Sequence, residues 1–283
     1  ELIIRVMTIC IYRTASGVVV SRGDEFGFWE VDWDQLFKGD TLRSELKEYN
    51  LVNDARAREA VENELLPPVG SQEIWAAGVT YFSSRLARME ESKTAGGSDF
   101  YASVYNADRP ELFFKSAAHR VKGDGQAVRI REDSSWDVPE PELTLALSTN
   151  GKIIGYTVGN DMSSRSIEGE NPLYLPQAKT YEGAAGLGPC LYVLDTELPA
   201  STKISLKIYR SDALVFEGET ELSAMKRKPE ELAGYLFREL SFPQGCYLMT
   251  GTGIVPGNDF TLESGDCIEI DIEGLGTLKQ VVA

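Results

Sequence analysis

The stretch PEPELTLALSTNGKIIGYTVGND, residues 139–161, sets two glutamates two positions apart, ahead of an apolar run and an Asn-Gly pair. Side chains alternate along a strand, so Glu140 and Glu142 share one face, about 6.6–7 Å apart. Asn150-Gly151 is a strong two-residue hairpin signal, because both central residues of a type I′ turn need φ > 0. With those two at the turn, Thr149 faces Lys152, Leu147 faces Ile154, Leu145 faces Tyr156 and Leu143 faces Val158, an apolar face that belongs in a core. The other face pairs Thr144 with Thr157, Glu142 with Gly159 and Glu140 with Asp161. Three carboxylates therefore converge, opposite a glycine that leaves room. Directly opposed Cβ atoms are about 4.5–5.5 Å apart. One unit-charge pair at about 5 Å costs roughly 3 kcal/mol at an effective dielectric near 20. A solvated acidic face accounts for two glutamates at this spacing, but a third acid in register favours a divalent cation. An all-oxygen set with no Cys or His nearby suits Mg²⁺, Mn²⁺ or Ca²⁺ better than zinc.

The rest of the chain bounds what such a site can serve. A net charge of −16 over 283 residues argues against nucleic acid and anionic membranes as partners. It leaves an anionic small molecule open, because a local metal and a few basic residues override the mean field. Cys10, Cys190, Cys246 and Cys267 form no C-x-x-C and read as reduced residues of a cytosolic protein. The start, ELIIRVMTICIYR, alternates like a strand and carries Arg5 and Arg13, too short and too charged for a membrane span. It has no basic n-region, so no signal peptide is expected.

Two units are expected. Residues 1–66 form a small α+β unit, with strand patterns at 2–12 and 17–21, a FGFWEVD strand, and helical patterns at 33–50 and 54–65. The Pro-Pro and Gly of LLPPVGSQ mark a linker. Residues 73–283 are mostly short strands separated by Gly, Asn and Asp. A helical SSRLARMEES followed by glycine-rich KTAGGSD interrupts them, as does a helix at 229–240 with Pro in its first turn. The fold class is mainly β (α+β) rather than βαβ repeats.

The elements GVTY, PELFFK, PEPEL, GYTVGNDMSSR, AKTYEGAAGLGP, TGTGIVPG and LESGDCIEIDIEGLG follow one another between positions 75 and 277. In that order they resemble the fumarylacetoacetate hydrolase superfamily. The ENPLYLPQAK run, the basic MKRK and the TGTGIVPG ending look most like its 2-keto-3-deoxy-pentonate dehydratase branch. The resemblance implies a mixed-sheet β-roll with a small N-terminal domain, assembled as a homodimer or dimer of dimers. It implies Mg²⁺ or a similar ion on Glu140, Glu142 and Asp161, the positions the hairpin register selects. It further implies a 2-oxo acid substrate, whose carboxylate and keto oxygens chelate the ion. The metal then stabilises an enolate formed at C3.

By the same resemblance Lys179 in QAKTYEG stands near the enolate or shuttles a proton, and Glu111 in PELFFK is the leading general base. Lys115, Ser84, Arg85 and Thr252 fall at substrate-binding positions, and Arg165 matches a family arginine whose structural reading is a buried salt bridge. Plainer alternatives are an exposed lysine for Lys179, a solvated acid for Glu111, a salt bridge alone for Lys115, and for Thr252 a turn shaped by Gly251 and Gly253. Many hydrolases of the family carry a histidine and a following glutamate on a lid helix to activate water. Here TYFSSR places Ser84 where that histidine would fall. The sole histidine, His119, follows the Lys115 strand and reads as structural. The expected activity is Mg²⁺-dependent dehydration of a 2-keto-3-deoxy sugar acid by a cytoplasmic enzyme. A C–C hydrolase of 2,4-diketo acids and a non-catalytic sugar-acid binder are the alternatives. Residues 82–98 are expected to close over ligand as a lid.

Overall fold

The computed structural model describes residues 8–84 and 104–283. Its first strands are β1 (Thr8–Thr14), β2 (Gly17–Arg22), β3 (Glu25–Trp29), β4 (Leu65–Leu66), β5 (Glu73–Gly78) and β6 (Glu111–Ser116). Next come β7 (Val121–Lys122), β8 (Ala127–Val128), β9 (Asp137–Val138), β10 (Pro141–Leu147), β11 (Ile153–Asp161) and β12 (Ser163–Ser164). The last are β13 (Ala185–Leu194), β14 (Lys203–Arg210), β15 (Ala213–Glu221), β16 (Cys246–Met249), β17 (Cys267–Ile272) and β18 (Gly276–Val282). Among the described residues the helices are short, and the fold is mainly β with mixed sheets. The large sheet runs β3-β2-β1-β13-β11-β10-β16-β5-β6, and a five-stranded sheet runs β15-β14-β17-β18-β8. Most pairs are antiparallel, while β16–β5, β13–β7 and β18–β8 are parallel.

The hairpin that opened the sequence reading lies at the middle of the large sheet, and every residue of β10 is buried. Both faces are covered because each meets a different core. Leu143, Leu145 and Leu147 face one cluster, with Tyr156, Val158 and the five-stranded sheet's Ile204, Leu206, Ile268 and Leu278. Ala146 faces the other, with Tyr247 and Met249 of β16 and with Trp33, Leu36, Phe37, Leu42 and Leu46. Those five residues come from Trp33–Phe37, a 3₁₀ turn capped by the Asp32 carboxylate, and from the helix Leu42–Glu48. Phe37 meets the Tyr247 ring edge-on at 5.3 Å.

The predicted register holds from Pro141↔Asn160 to Ala146↔Gly155. Glu140 and Asp161 exchange both backbone hydrogen bonds, at 3.2 and 3.0 Å, and so stand directly opposite each other. The turn differs from the two-residue I′ expectation. A bulge after Ala146 sets Leu147 opposite Ile153 rather than Ile154. The cause is Ser148, whose hydroxyl accepts from the amides of Asn150 and Lys152 and donates to Asp40. Only Gly151, at φ 74, takes the left-handed conformation in this loop.

Strands 1–3 are hydrogen-bonded into the large sheet, β1 pairing antiparallel with β13 through Thr8↔Leu194 to Ile11↔Leu191. The expected helical patterns resolve into three shorter pieces, the two already named and Ala55–Asn63. Asp54 caps that last helix through the Arg56 amide. The helix expected at 229–240 spans Pro229–Leu236.

Candidate active site

Glu142, Thr144 and Ala146 alternate on the sheet face opposite Leu143, Leu145 and Leu147. Glu142 is therefore on the side of the second core, just past its end. Gly159 faces Glu142 across the hairpin, and a Cβ there would lie 2.2 Å from the Thr144 hydroxyl. The result is a buried group, Glu140, Glu142 and Asp161, with one carboxylate oxygen from each lying within 4.8 Å of the others. A register argument from sequence placed these three on one face, and the structure brings them together.

Three buried cations pair with two of these carboxylates. Arg165, at the start of the helix Arg165–Glu170, donates to Glu140 Oε1 at 2.7 Å. Lys179, at the end of the helix Leu175–Lys179, reaches Glu140 Oε2 at 2.8 Å and Asp161 Oδ2 at 3.1 Å. Lys115 on β6 reaches Asp161 Oδ1 at 2.5 Å. Glu142 is the carboxylate left over. Its Oε2 accepts the Gly251 amide at 2.6 Å, while Oε1 is buried with no hydrogen bond. Burial, then the charges of Asp161 and Glu140, push the Glu142 carboxyl well above the usual carboxylate range. A buried, unpaired carboxylate oxygen facing two further carboxylates is what a divalent cation would satisfy. The donor set, oxygen alone, fits Mg²⁺, Mn²⁺ or Ca²⁺.

The cleft over this group is lined by Ala77, Gly78, Val79, Ser84, Phe113, Arg165, Lys179, Gly251 and Thr252 as well as Glu140 and Asp161. Val79 has φ 51, a left-handed conformation that costs a β-branched residue on the order of 1–3 kcal/mol. Such strain at the lip of a polar cleft is the kind that function retains.

Several expected site residues land here with modified duties. The Ser84 hydroxyl lines the cleft but donates to the Tyr81 carbonyl at 2.8 Å and accepts from the Tyr81 amide, closing the turn that begins there. Thr252 also lines the cleft, its hydroxyl engaged within its own turn with Ile254. The neighbouring Gly251 amide donates to Glu142 Oε2. Lys115, expected either to anchor the site or to form a salt bridge, forms a salt bridge here. Its ammonium is fully buried and meets the Met162 carbonyl at 2.8 Å, the Lys179 carbonyl at 2.5 Å and Asp161. Two of its N–H donors go to those carbonyls, and Asp161 is its ion-pair partner.

Glu111 opens β6 opposite Gly78. It shares the face of Phe113, and Phe113, unlike Glu111, lines the cleft, with its ring 5.8 Å from the Lys179 ammonium. His119 is exposed in the 3₁₀ turn Ala118–Arg120 and is not among the cleft residues. Arg85 and most of the expected lid segment lie outside the described residues. Sequence reasoning missed Phe113 and the strained Gly78-Val79 lip. Nothing in one sequence marks a valine for positive φ.

A β fold centred on a buried oxygen-only triad with its own lysine and arginine partners defines the class, and the comparisons agree. The profile described as Fumarylacetoacetate (FAA) hydrolase C-terminal matches residues 73–283, and the chain belongs to that family. A "Probable 2-keto-3-deoxyxylonate dehydratase" of Haloferax volcanii is 47% identical over 245 residues, covering 86% of this chain and 82% of the relative. A "2-dehydro-3-deoxy-D-arabinonate dehydratase" of Saccharolobus solfataricus is 42% identical over 242 residues, covering 85% and 78%. Among solved structures, "2-keto-3-deoxy-D-arabinonate dehydratase complexed with magnesium and 2,5-dioxopentanoate" superposes with a TM-score of 0.81 at 33% identity, covering 98% of both chains.

Proposed function

We propose that this chain dehydrates a 2-keto-3-deoxy sugar acid with Mg²⁺ held by Glu140, Glu142 and Asp161, Mn²⁺ or Ca²⁺ being possible substitutes. The observation that carries the reading is the buried triad with its unpaired Glu142 oxygen, set beside Lys179. When bound, the ion would polarise the 2-keto group and make C3 more acidic. The protein's own groups supply the rest. Glu111 takes the C3 proton, and the electrons of that C–H bond become the C3–C4 double bond. The C4–O bond breaks, and the hydroxyl leaves as water with a proton held at the Lys179 ammonium. Lys115 and Arg165 keep the triad's charges compensated while this happens. Three carboxylates and three cations cancel formally, so a divalent ion leaves a surplus of positive charge that suits an anionic substrate.

Two facts support dehydration over hydrolysis. Ser84 gives no imidazole at the cleft, and the sole histidine is exposed elsewhere. The ligand named with the magnesium-containing relative, 2,5-dioxopentanoate, is a five-carbon 2-keto-3-deoxy acid less one water. Ser84, Arg85 and Thr252 remain our proposed substrate contacts. We further propose a cytoplasmic homodimer or dimer of dimers, tested by sedimentation analysis. Among the described residues no helix is long and apolar enough to cross a membrane.

Isothermal titration with Mg²⁺ tests the site. Asp161→Asn should weaken binding at least tenfold while leaving the circular dichroism spectrum intact. Wild-type affinity in that variant would remove the triad from the account. Glu111→Gln and Lys179→Met should each lower kcat about 10²–10⁴-fold, and Glu111→Gln should retain wild-type Mg²⁺ affinity.

A further inference from the structure

We propose that Gly78, at the strained lip it forms with Val79, is the seat that holds the Glu111 carboxylate over the site, which makes Gly78 a positioning residue for the C3 proton transfer. The inference rests on the reading of Glu111 as the base and adds what places it. In the β5–β6 ladder Gly78 stands directly opposite Glu111. Opposed residues on an antiparallel pair project from the same face, and only one of these two has a side chain. A Cβ built on Gly78 would lie 2.2 Å from Glu111 Oε2, 2.6 Å from its Cδ and 3.2 Å from its Oε1. The three nearest atoms all belong to one carboxyl group. Glu111 therefore does not run outward from the sheet edge; it folds across β5 with Oε2 buried, in the space a side chain at 78 would fill.

That space adjoins the cleft, whose lining includes Gly78 though not Glu111 itself. Gly78 and Val79 line the same cleft as Glu140, Asp161 and Lys179. Along β6 the alternate residues Glu111 and Phe113 share a face, with Lys115 following at a bulge. Lys115 bonds Asp161, and Phe113 stands beside the Lys179 ammonium. Glu111 is the next position outward on that face, and the missing side chain at 78 lets its carboxylate turn in. Val79 then leaves the strand through φ 51, so the lip departs from ordinary strand geometry directly after the seat.

What a methyl group at 78 meets is the end of one side chain rather than backbone. The fold should survive, and Glu111 should swing away. The test is a double-mutant cycle assayed with 2-keto-3-deoxy-D-arabinonate and Mg²⁺. Gly78→Ala should lower kcat at least tenfold, with Mg²⁺ affinity by calorimetry within twofold of wild type. Added to Glu111→Gln, it should cost nothing further, since the carboxylate it displaces has already lost its function. If the two losses multiply, or if Gly78→Ala keeps full kcat while Glu111→Gln is impaired, the seat is wrong and the base reading stands. Full kcat in Glu111→Gln would overturn the base reading and the seat's catalytic purpose with it. A melting-temperature cycle guards against poor folding. Gly78→Ala should lower Tm more in the wild-type background than in Glu111→Ala, and equal shifts in both would refute the steric contact.

Discussion

Lys115 shows why a residue's neighbours matter more than its motif. PELFFK left Lys115 open as a site anchor or a salt-bridge partner, and its ammonium pairs with Asp161 and donates to two carbonyls. Removing one partner of a buried pair leaves an uncompensated charge and costs about 3–5 kcal/mol. Lys115→Met should therefore lower the Tm of the metal-free protein markedly. Mg²⁺ should raise its Tm by more than it raises that of wild type, because the ion takes up part of the charge exposed on Asp161. An unchanged metal-free Tm would return Lys115 to the substrate. Asp137 offers a pH test. Burial raises its carboxyl from the ordinary 3.8 to about 6, against smaller opposing contributions from Ser134 and Arg131. A raised carboxyl contributes stability fully present below about pH 4 and lost as pH rises through about 6. Asp137→Asn should then be more stable than wild type at pH 8, on the order of 1–2 kcal/mol, with the gap closing near pH 4. A gap of equal size at both pH values would mean that titration is not its cause. The triad was legible in sequence because strand alternation projects it. Which partners Lys115 takes was not, because that depends on how β6 lies relative to Asp161 and Lys179.

At the scale of elements, the hairpin was read correctly in its body and incorrectly at its tip. Apolar alternation over Leu143, Leu145 and Leu147 fixed the pairing, since a one-residue slip would bring the carboxylates to the core face. The Asn-Gly rule gave way to Ser148, whose hydroxyl bonds two loop amides and ties the turn to Asp40. The converse occurs between β14 and β15. There Ser211 and Asp212 both take positive φ, at 50 and 65, to make a two-residue turn that the sequence reading passed over. Gly159 carries the prediction at this scale. It is buried opposite Glu142, and a Cβ there would crowd the Thr144 hydroxyl. Gly159→Ala should cost about 1–3 kcal/mol as overpacking and weaken Mg²⁺ binding as Glu142 shifts. Full stability in urea titration, with wild-type Mg²⁺ affinity, would contradict that.

Over the whole molecule, composition and linker signals separated residues 1–66 from 73–283, and we retain that division as a proposal about sequence units. Folding is a different matter, because β1 pairs with β13, and Ile11, Val18, Val20, Trp33 and Phe37 complete the second core. Residues 73–283 expressed alone should lack a cooperative unfolding transition, having lost a sheet partner and one side of that core. A sharp transition like that of the full chain would make the two units independent domains. The long-range pairing was illegible because alternation reveals that a strand has an apolar face, not which strand lies beside it. The central claim concerns chemistry, and one measurement addresses it most directly: mass and NMR analysis of products after incubating the protein with Mg²⁺ and 2-keto-3-deoxy-D-arabinonate. The account predicts a single product lighter by one water with its carbon chain intact, lost on adding EDTA and restored by Mg²⁺. Unchanged sugar acid, with a 2,4-diketo acid instead split into two molecules under the same conditions, would contradict it.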